Sequence, residues 1–235
     1  MVTVVPNVCA AVLFDLKFGS MAARPDVAMG YAACEAALQG NPIQEGNVGA
    51  GTGCTIGKIR GPQYAMKGGL GTCAYRQGDL MVGAVMACNA MGDVVEDGTI
   101  LAGARNDDNT GFAGTEEWLI QHSQRQRDIF SGKLVGENTV IGCVVTNAAL
   151  NKAQAAKLAA VAQNGIARAV RPANATFDGD SLFAMCHGTV PADPDAVGIL
   201  AARAVEEAIR RGIRAAETLH GRPAWRDLPF VSQST

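Results

Sequence analysis

The sequence predicts a layered α+β fold, with sheets packed between helices, and three observations point to it. Short apolar segments between residues 68 and 104 alternate with the turn dipeptides Gly78-Asp79 and Asp97-Gly98, the pattern of antiparallel hairpins. Apolar residues at helical spacing flank that block on both sides. Strands grouped together with helices outside them favour α+β over a sheet in which strand and helix alternate.

The elements follow in order. Residues 1–16, MVTVVPNVCAAVLFDL, form an apolar β-leaning run that begins without lead-in. RPDVAMGYAACEAALQG then reads as a helix: Pro25 suits a first turn, Val27, Tyr31, Cys34 and Leu38 share one face, and Gly40 can end it. A glycine-rich section, EGNVGAGTGCTIGK from Glu45 to Lys58, leads into the hairpins. Residues 105–138 turn polar and read as a connector, with one short helix around Thr115 to Arg127. After it come a strand, Thr139 to Thr146, and a helix opened by Asn151 with Gln154 three residues on, close to a capping box. Leu158, Val161, Ala162, Ile166 and Val170 make its apolar stripe, and Arg171-Pro172 stops it. A turn at Asp178-Gly179, a strand from Ser181 to Cys186 and a last helix complete the chain; Asp193 caps that helix, Pro194 opens it, and it runs to about His220. No internal repeat is visible, and residues 1–235 read as one domain.

Composition narrows the partners. A formal charge of -2 with 18% charged residues offers no basic surface for nucleic acid. No apolar run reaches the length of a membrane span, and no basic segment precedes the first apolar stretch as in a secretory signal. The 7 cysteines include no C-x-x-C pair and read as reduced thiols of a cytoplasmic protein.

Several constellations could carry chemistry. His122, His187 and His220 are isolated and read as structural, which disfavours a histidine triad or a zinc centre. GNVGAGTGCTIGK lacks the phosphate-loop order because Ile59 follows Lys58, so close backbone packing explains its glycines better than a nucleotide. Lys58 is either a surface lysine or, desolvated among glycines, a proton shuttle. Asn89, ending an apolar strand, is either a satisfied buried amide or an oxyanion donor. Asp178 and Asp180 flank a glycine as in a turn. Thr139 stands where the connector gives way to a β-branched run. With no histidine base at hand, a threonine can still act as nucleophile once its own α-amine takes the proton, which needs a chain break after Asn138. Attack of the same hydroxyl on the Asn138 carbonyl would make that break.

The ordered set AAVLFDL, GNVGAGTGCTIGK, KGGLGT, CNAMGDV, GTILAGAR, ENTVIGCVVTNAALNKAQAAKLA, ARAVRP and FDGDSLFA resembles the L-aminopeptidase/D-esterase family, which includes β-peptidyl aminopeptidases and nylon-oligomer hydrolases. The resemblance runs from Val5 to about Gly188. It implies the four-layer α/β/β/α sandwich shared with the ornithine acetyltransferases, lacking part of the usual N-terminal region. It implies self-cleavage between Asn138 and Thr139, giving chains 1–138 and 139–235. It implies catalytic roles for Thr139 as nucleophile, Asn89 at the oxyanion, Lys58 near the nucleophile, and Asp178 and Asp180 orienting the new terminal amine. It further implies a small peptide or amide substrate, no cofactor, and a homo-oligomer, commonly a tetramer of αβ units. Phe14 stands where some members carry a tyrosine. An ornithine-acetyltransferase-like acyl transfer and an uncleaved, inactive shortened homologue are the alternatives.

Overall fold

The computed structural model describes residues 8–124 and 138–230, His187 through its backbone. Its centre is a four-stranded sheet ordered β3 (Gly69–Gln77), β4 (Leu80–Asn89), β7 (Thr139–Ala148) and β9 (Ser181–Val190). β3, β4 and β7 are antiparallel neighbours, whereas β7 and β9 run parallel. Two helices, α3 (Lys152–Ala169) and α4 (Pro194–Ala215), cover one face. A two-stranded ladder of β1 (Thr55–Ile56) and β2 (Met66–Lys67) and a three-stranded sheet ordered β6 (Thr99–Ala102), β5 (Asp93–Glu96), β8 (Val170–Arg171) complete the β structure.

The alternation of the central strands decides what the helices cover. Val82, Ala84 and Met86 of β4 and Val140 and Val144 of β7 meet Leu158, Ala162 and Ile166 of α3 and Val205, Ile209 and Ile213 of α4 in one buried core. At the KGGLGT motif α4 lies almost on the strand. A Cβ on Gly71 would come within 2.1 Å of the Ala208 carbonyl oxygen, and one on Gly69 within 2.4 Å of that of Gly212. These glycines allow close helix–sheet approach, as the reading against a phosphate cradle expects.

The opposite face is less covered. Among the described residues Met81, Val145 and Met185, at the end of that face far from Asn89 and Thr139, are 51%, 44% and 63% exposed, which leaves an apolar patch there. An N-terminal helix, α1 (Val27–Leu38), buries none of its residues. Its expected core face, with Val27, Tyr31 and Leu38, is exposed. Asp26, not Pro25, starts it, accepting the Met29 N–H at 2.8 Å.

Local signals placed the later elements well. Asn151 and Gln154 form the reciprocal capping box, 2.9 Å in each direction, and Asp193 caps α4 with Pro194 at its first position. Val170 leaves the expected α3 stripe to pair with Val94 in β5. α4 ends at Ala215 rather than near His220, because the chain turns back on itself there: Leu219 and Arg222 exchange backbone hydrogen bonds around Gly221, whose φ is +74°. Residues 8–16 form no strand, and the first part of the expected run lies outside the described residues. The short helix of the connector is α2 (Thr115–Gln121), and the end expected at Arg127 also falls outside them.

Candidate active site

Thr139 is the first residue of β7 and lies directly opposite Asn89, the last residue of β4. Residues opposite each other across an antiparallel pair point to the same face, with Cβ atoms about 5 Å apart. Both side chains are buried. They occupy the face away from α3 and α4, since the neighbouring Val140 and Cys88 point into the helix-covered core.

The Asn89 amide is held at both its oxygen and its nitrogen. Its Oδ1 accepts the Lys58 ammonium at 2.9 Å and the Thr55 backbone N–H at 3.0 Å, and its Nδ2 donates to the Phe14 carbonyl at 3.0 Å. Lys58 Nζ also reaches the Asn89 backbone oxygen at 2.9 Å. Lys58 arrives there through Gly57, whose φ of +66° sets the turn, with the Gly57 and Lys58 amides donating to Gly92 and Met91.

On the other side of Thr139 sits the Asp178-Gly179-Asp180 element. Asn138 bridges Asp178 in parallel register, and the Gly179 N–H donates to the Asn138 carbonyl at 2.9 Å. A Cβ on Gly179 would meet the Thr139 hydroxyl oxygen at 3.3 Å, so the bare glycine leaves that hydroxyl room. Asp180 accepts the N–H groups of Val140 at 2.7 Å and Asn174 at 3.1 Å. Asp178 accepts the Ala175 N–H at 2.9 Å through Oδ2, while its buried Oδ1 has no hydrogen-bond partner among the described residues. Burial pushes the Asp178 carboxyl up to about 6; the Ala175 hydrogen bond opposes that shift, Asp180 adds to it and Lys58 opposes it. Burial raises Asp180 as well, against its two backbone donors. Four of the residues singled out in the sequence, Asn89, Lys58, Asp178 and Asp180, therefore cluster about the peptide bond that the fifth, Thr139, makes with Asn138.

A cavity of about 260 Å³ adjoins this point, lined by Thr55, Lys58 and Asn89 together with Phe14, Phe18 and Arg222 among others. Thiols offer no rival nucleophile here. Burial pushes Cys54 up to about 12 and Cys88 higher, which keeps both neutral. His122 stacks on Trp118, ring centroids 4.1 Å apart, and His220 packs edge-on against Phe18, as structural histidines do.

Two participants escaped the residue-by-residue reading. Thr55 orients Asn89 through its backbone. Lys67 is fully buried and donates to the carbonyls of Gly51, Cys54 and Gly68 at 2.8, 3.0 and 2.8 Å, tying the glycine-rich loop to β2. In sequence it is only a lysine beside paired glycines in AMKGGLG, which does not mark it as buried. Asp93, in CNAMGDV, is similarly structural: it accepts from Ala104 N and from both N and Oγ1 of Thr115.

Known proteins share this arrangement of chain. The chain is 33% identical over 246 residues to an uncharacterized aminopeptidase of Mycobacterium leprae (strain TN), covering 94% of this chain and 65% of that protein. Among solved structures it superposes on a Burkholderia sp. beta-aminopeptidase with a TM-score of 0.57 at 22% identity, over 82% of this chain and 54% of the other. It superposes on the L-aminopeptidase D-Ala-esterase/amidase of Ochrobactrum anthropi, described as a variant of the Ntn hydrolase fold, with a TM-score of 0.52 at 24% identity, over 82% and 51%. The chain thus spans about two thirds of the first relative and half of the solved structures, and its fold is of the α+β Ntn-hydrolase type. The model of Peptidase family S58 matches residues 1–225, and the chain belongs to that family.

Proposed function

We propose that this chain is a self-processing amide hydrolase whose nucleophile is Thr139. The observation that carries the reading is the setting of the Asn138–Thr139 peptide. Its carbonyl oxygen accepts a backbone N–H from Gly179, and its hydroxyl lies between a fixed carboxamide, Asn89, and two half-buried carboxyls.

In the first step the Thr139 hydroxyl oxygen attacks the Asn138 carbonyl carbon. The Gly179 N–H stabilises the oxygen that gains charge. The C–N bond breaks, the threonine nitrogen takes a proton, and residue 138 is left as an ester on Oγ1. Water hydrolyses the ester, giving the Asn138 carboxylate and a free Thr139 with its hydroxyl restored. The new α-amine, with an ordinary pKa near 8, then serves as base for the same hydroxyl. Asp178 and Asp180 hold that amine as its ammonium forms. A small peptide or amide is attacked in the same way: the acyl group passes to Thr139, the amine leaves with the proton, and water releases the acid. Asn89 donates to the oxyanion through Nδ2, with Lys58 and Thr55 fixing its orientation. The reaction needs no cofactor.

Processing divides one domain into chains 1–138 and 139–235. The free thiols suit a reducing, cytoplasmic setting. No described helix is long and apolar enough to cross a membrane. The exposed apolar patch on the sheet and the unburied α1 support association of copies into a homo-oligomer.

Intact-mass analysis of the purified protein tests the reading. The wild type should give two species that break at Asn138/Thr139, and Thr139→Ala one species of 24.3 kDa with no amidase activity. Cleavage that persists in the variant removes Thr139 from the mechanism.

A further inference from the structure

The cavity beside Asn89 carries more positive than negative charge. Four ionisable side chains line it: Lys17, Lys58, Arg222 and Asp15. Lys58 is committed to Asn89. Asp15 packs against Gly53 and lies within electrostatic reach of the buried Lys67 ammonium, which offsets its charge. Arg222 is different. Its backbone is fixed by the exchange of hydrogen bonds with Leu219, yet among the described residues its half-buried guanidinium makes no hydrogen bond or ion pair. A second guanidinium, Arg105, lies close enough to feel its like charge, and Arg105 Nε is itself buried without a hydrogen-bond partner among the described residues. Around these cations the cavity wall is apolar, formed by Phe14, Phe18, Pro62 and Ala65. A planar guanidinium at an apolar wall, beside another cation, is suited to a bidentate carboxylate.

The strand geometry ties the Arg222 segment to the Asn89 side of the site. Thr55, whose N–H touches the Asn89 amide, pairs with Lys67, and the Lys67 N–H donates to the Pro223 carbonyl at 3.0 Å. Two strand spacings therefore separate Thr55 from the Arg222–Pro223 segment, about 10 Å. An extended substrate covers that in about three residues.

We propose that Arg222, with Lys17 lining the same cavity, is a carboxylate-recognition subsite, and that the substrates are short amides carrying a free carboxylate. The inference rests on the hydrolase reading above and narrows its substrate class. Arg222 is a specificity residue; it takes no part in bond breaking.

The test compares a tripeptide bearing a free C-terminal carboxylate with the same tripeptide amide, on the wild type, Arg222→Gln and Arg222→Lys. The wild type should prefer the acid by about tenfold in kcat/KM, expressed in KM, as one charged hydrogen-bonded pair allows. Arg222→Gln should bring the ratio to about one, and Arg222→Lys should retain part of it. A wild type that does not discriminate, or an Arg222→Gln that still does, overturns the subsite. Should neither peptide be cleaved, the hydrolase reading fails. Thermal shift with the same two peptides then judges the subsite alone: stabilisation of the wild type by the acid only, lost in Arg222→Gln, sustains it, and equal or absent shifts refute it.

Discussion

Asp178 carries an untested consequence of the site's electrostatics. In the uncleaved chain its buried Oδ1 has no hydrogen-bond partner among the described residues, and it lies beside the like charge of Asp180. Asp178→Asn in a Thr139→Ala background removes that charge in a protein that cannot generate the compensating terminal ammonium. A carboxyl raised from about 3.9 to about 6 gives a ceiling of about 3 kcal/mol at 1.4 kcal/mol per unit. The side chain is only partly buried, so solvent screening reduces this to about 1 kcal/mol. Because the folded-state pKa is raised, the cost is absent below the unfolded value, grows between about pH 4 and 6, and is complete above 6. The double variant should therefore melt about 2–4 °C above the single variant at pH 7.5, and the two should coincide near pH 4. Differential scanning calorimetry across that range reads the effect. A double variant that melts lower at pH 7.5, or an advantage of equal size at pH 4, would refute the claim that a buried charge awaits the amine. In the otherwise native chain the same substitution should depress turnover, since the new ammonium loses a partner.

Two further substitutions test the scaffold under the site. Lys67→Met leaves the carbonyls of Gly51, Cys54 and Gly68 facing an apolar side chain; at about 1 kcal/mol for each orphaned acceptor, urea unfolding should show a loss of roughly 3 kcal/mol. Gly57→Ala forces a side chain onto a backbone at φ +66° and within 2.1 Å of Ala104 N, so it should lower stability by at least 2 kcal/mol and slow cleavage at Asn138/Thr139 on a gel time course, because Lys58 follows directly.

What was legible in the sequence was local or collective. The capping box at Asn151, the Asp193-Pro194 start of α4 and the turns at Gly78 and Asp97 need only neighbouring residues to form, and each appears where its residues stand. The ordered motifs carried the family, because eight short matches in one order constrain the chain far more than any one of them. What stayed hidden depends on contacts between distant segments. Lys67 is indistinguishable in sequence from a surface lysine, since the three carbonyls that hold it come from loop geometry. α1 has a continuous apolar composition, and periodicity cannot say whether anything in the chain covers it. The end of α4 has no breaker in Ala215-Ala216-Glu217-Thr218; the turn at Gly221 and the Lys67–Pro223 hydrogen bond, both tertiary, decide it.

The site's precision rests on sheet register, and register is set in the core. A slip of one residue between β4 and β7 would turn Thr139 into the helix-covered core and bring Val140 to the site. Packing around Met86 opposes that slip. Met86 lies opposite Gly142, where a Cβ would fall 2.2 Å from the Met86 sulfur, so only glycine fits that place in the ladder. The same register sets Asn89 against Thr139 three residue pairs along. Orientation of the amide is then forced by chemistry: with an ammonium and an N–H both donating to Oδ1, a flipped carboxamide would set its own hydrogens against those donors. The NH₂ group therefore faces away from Lys58 and Thr55 and donates to the Phe14 carbonyl.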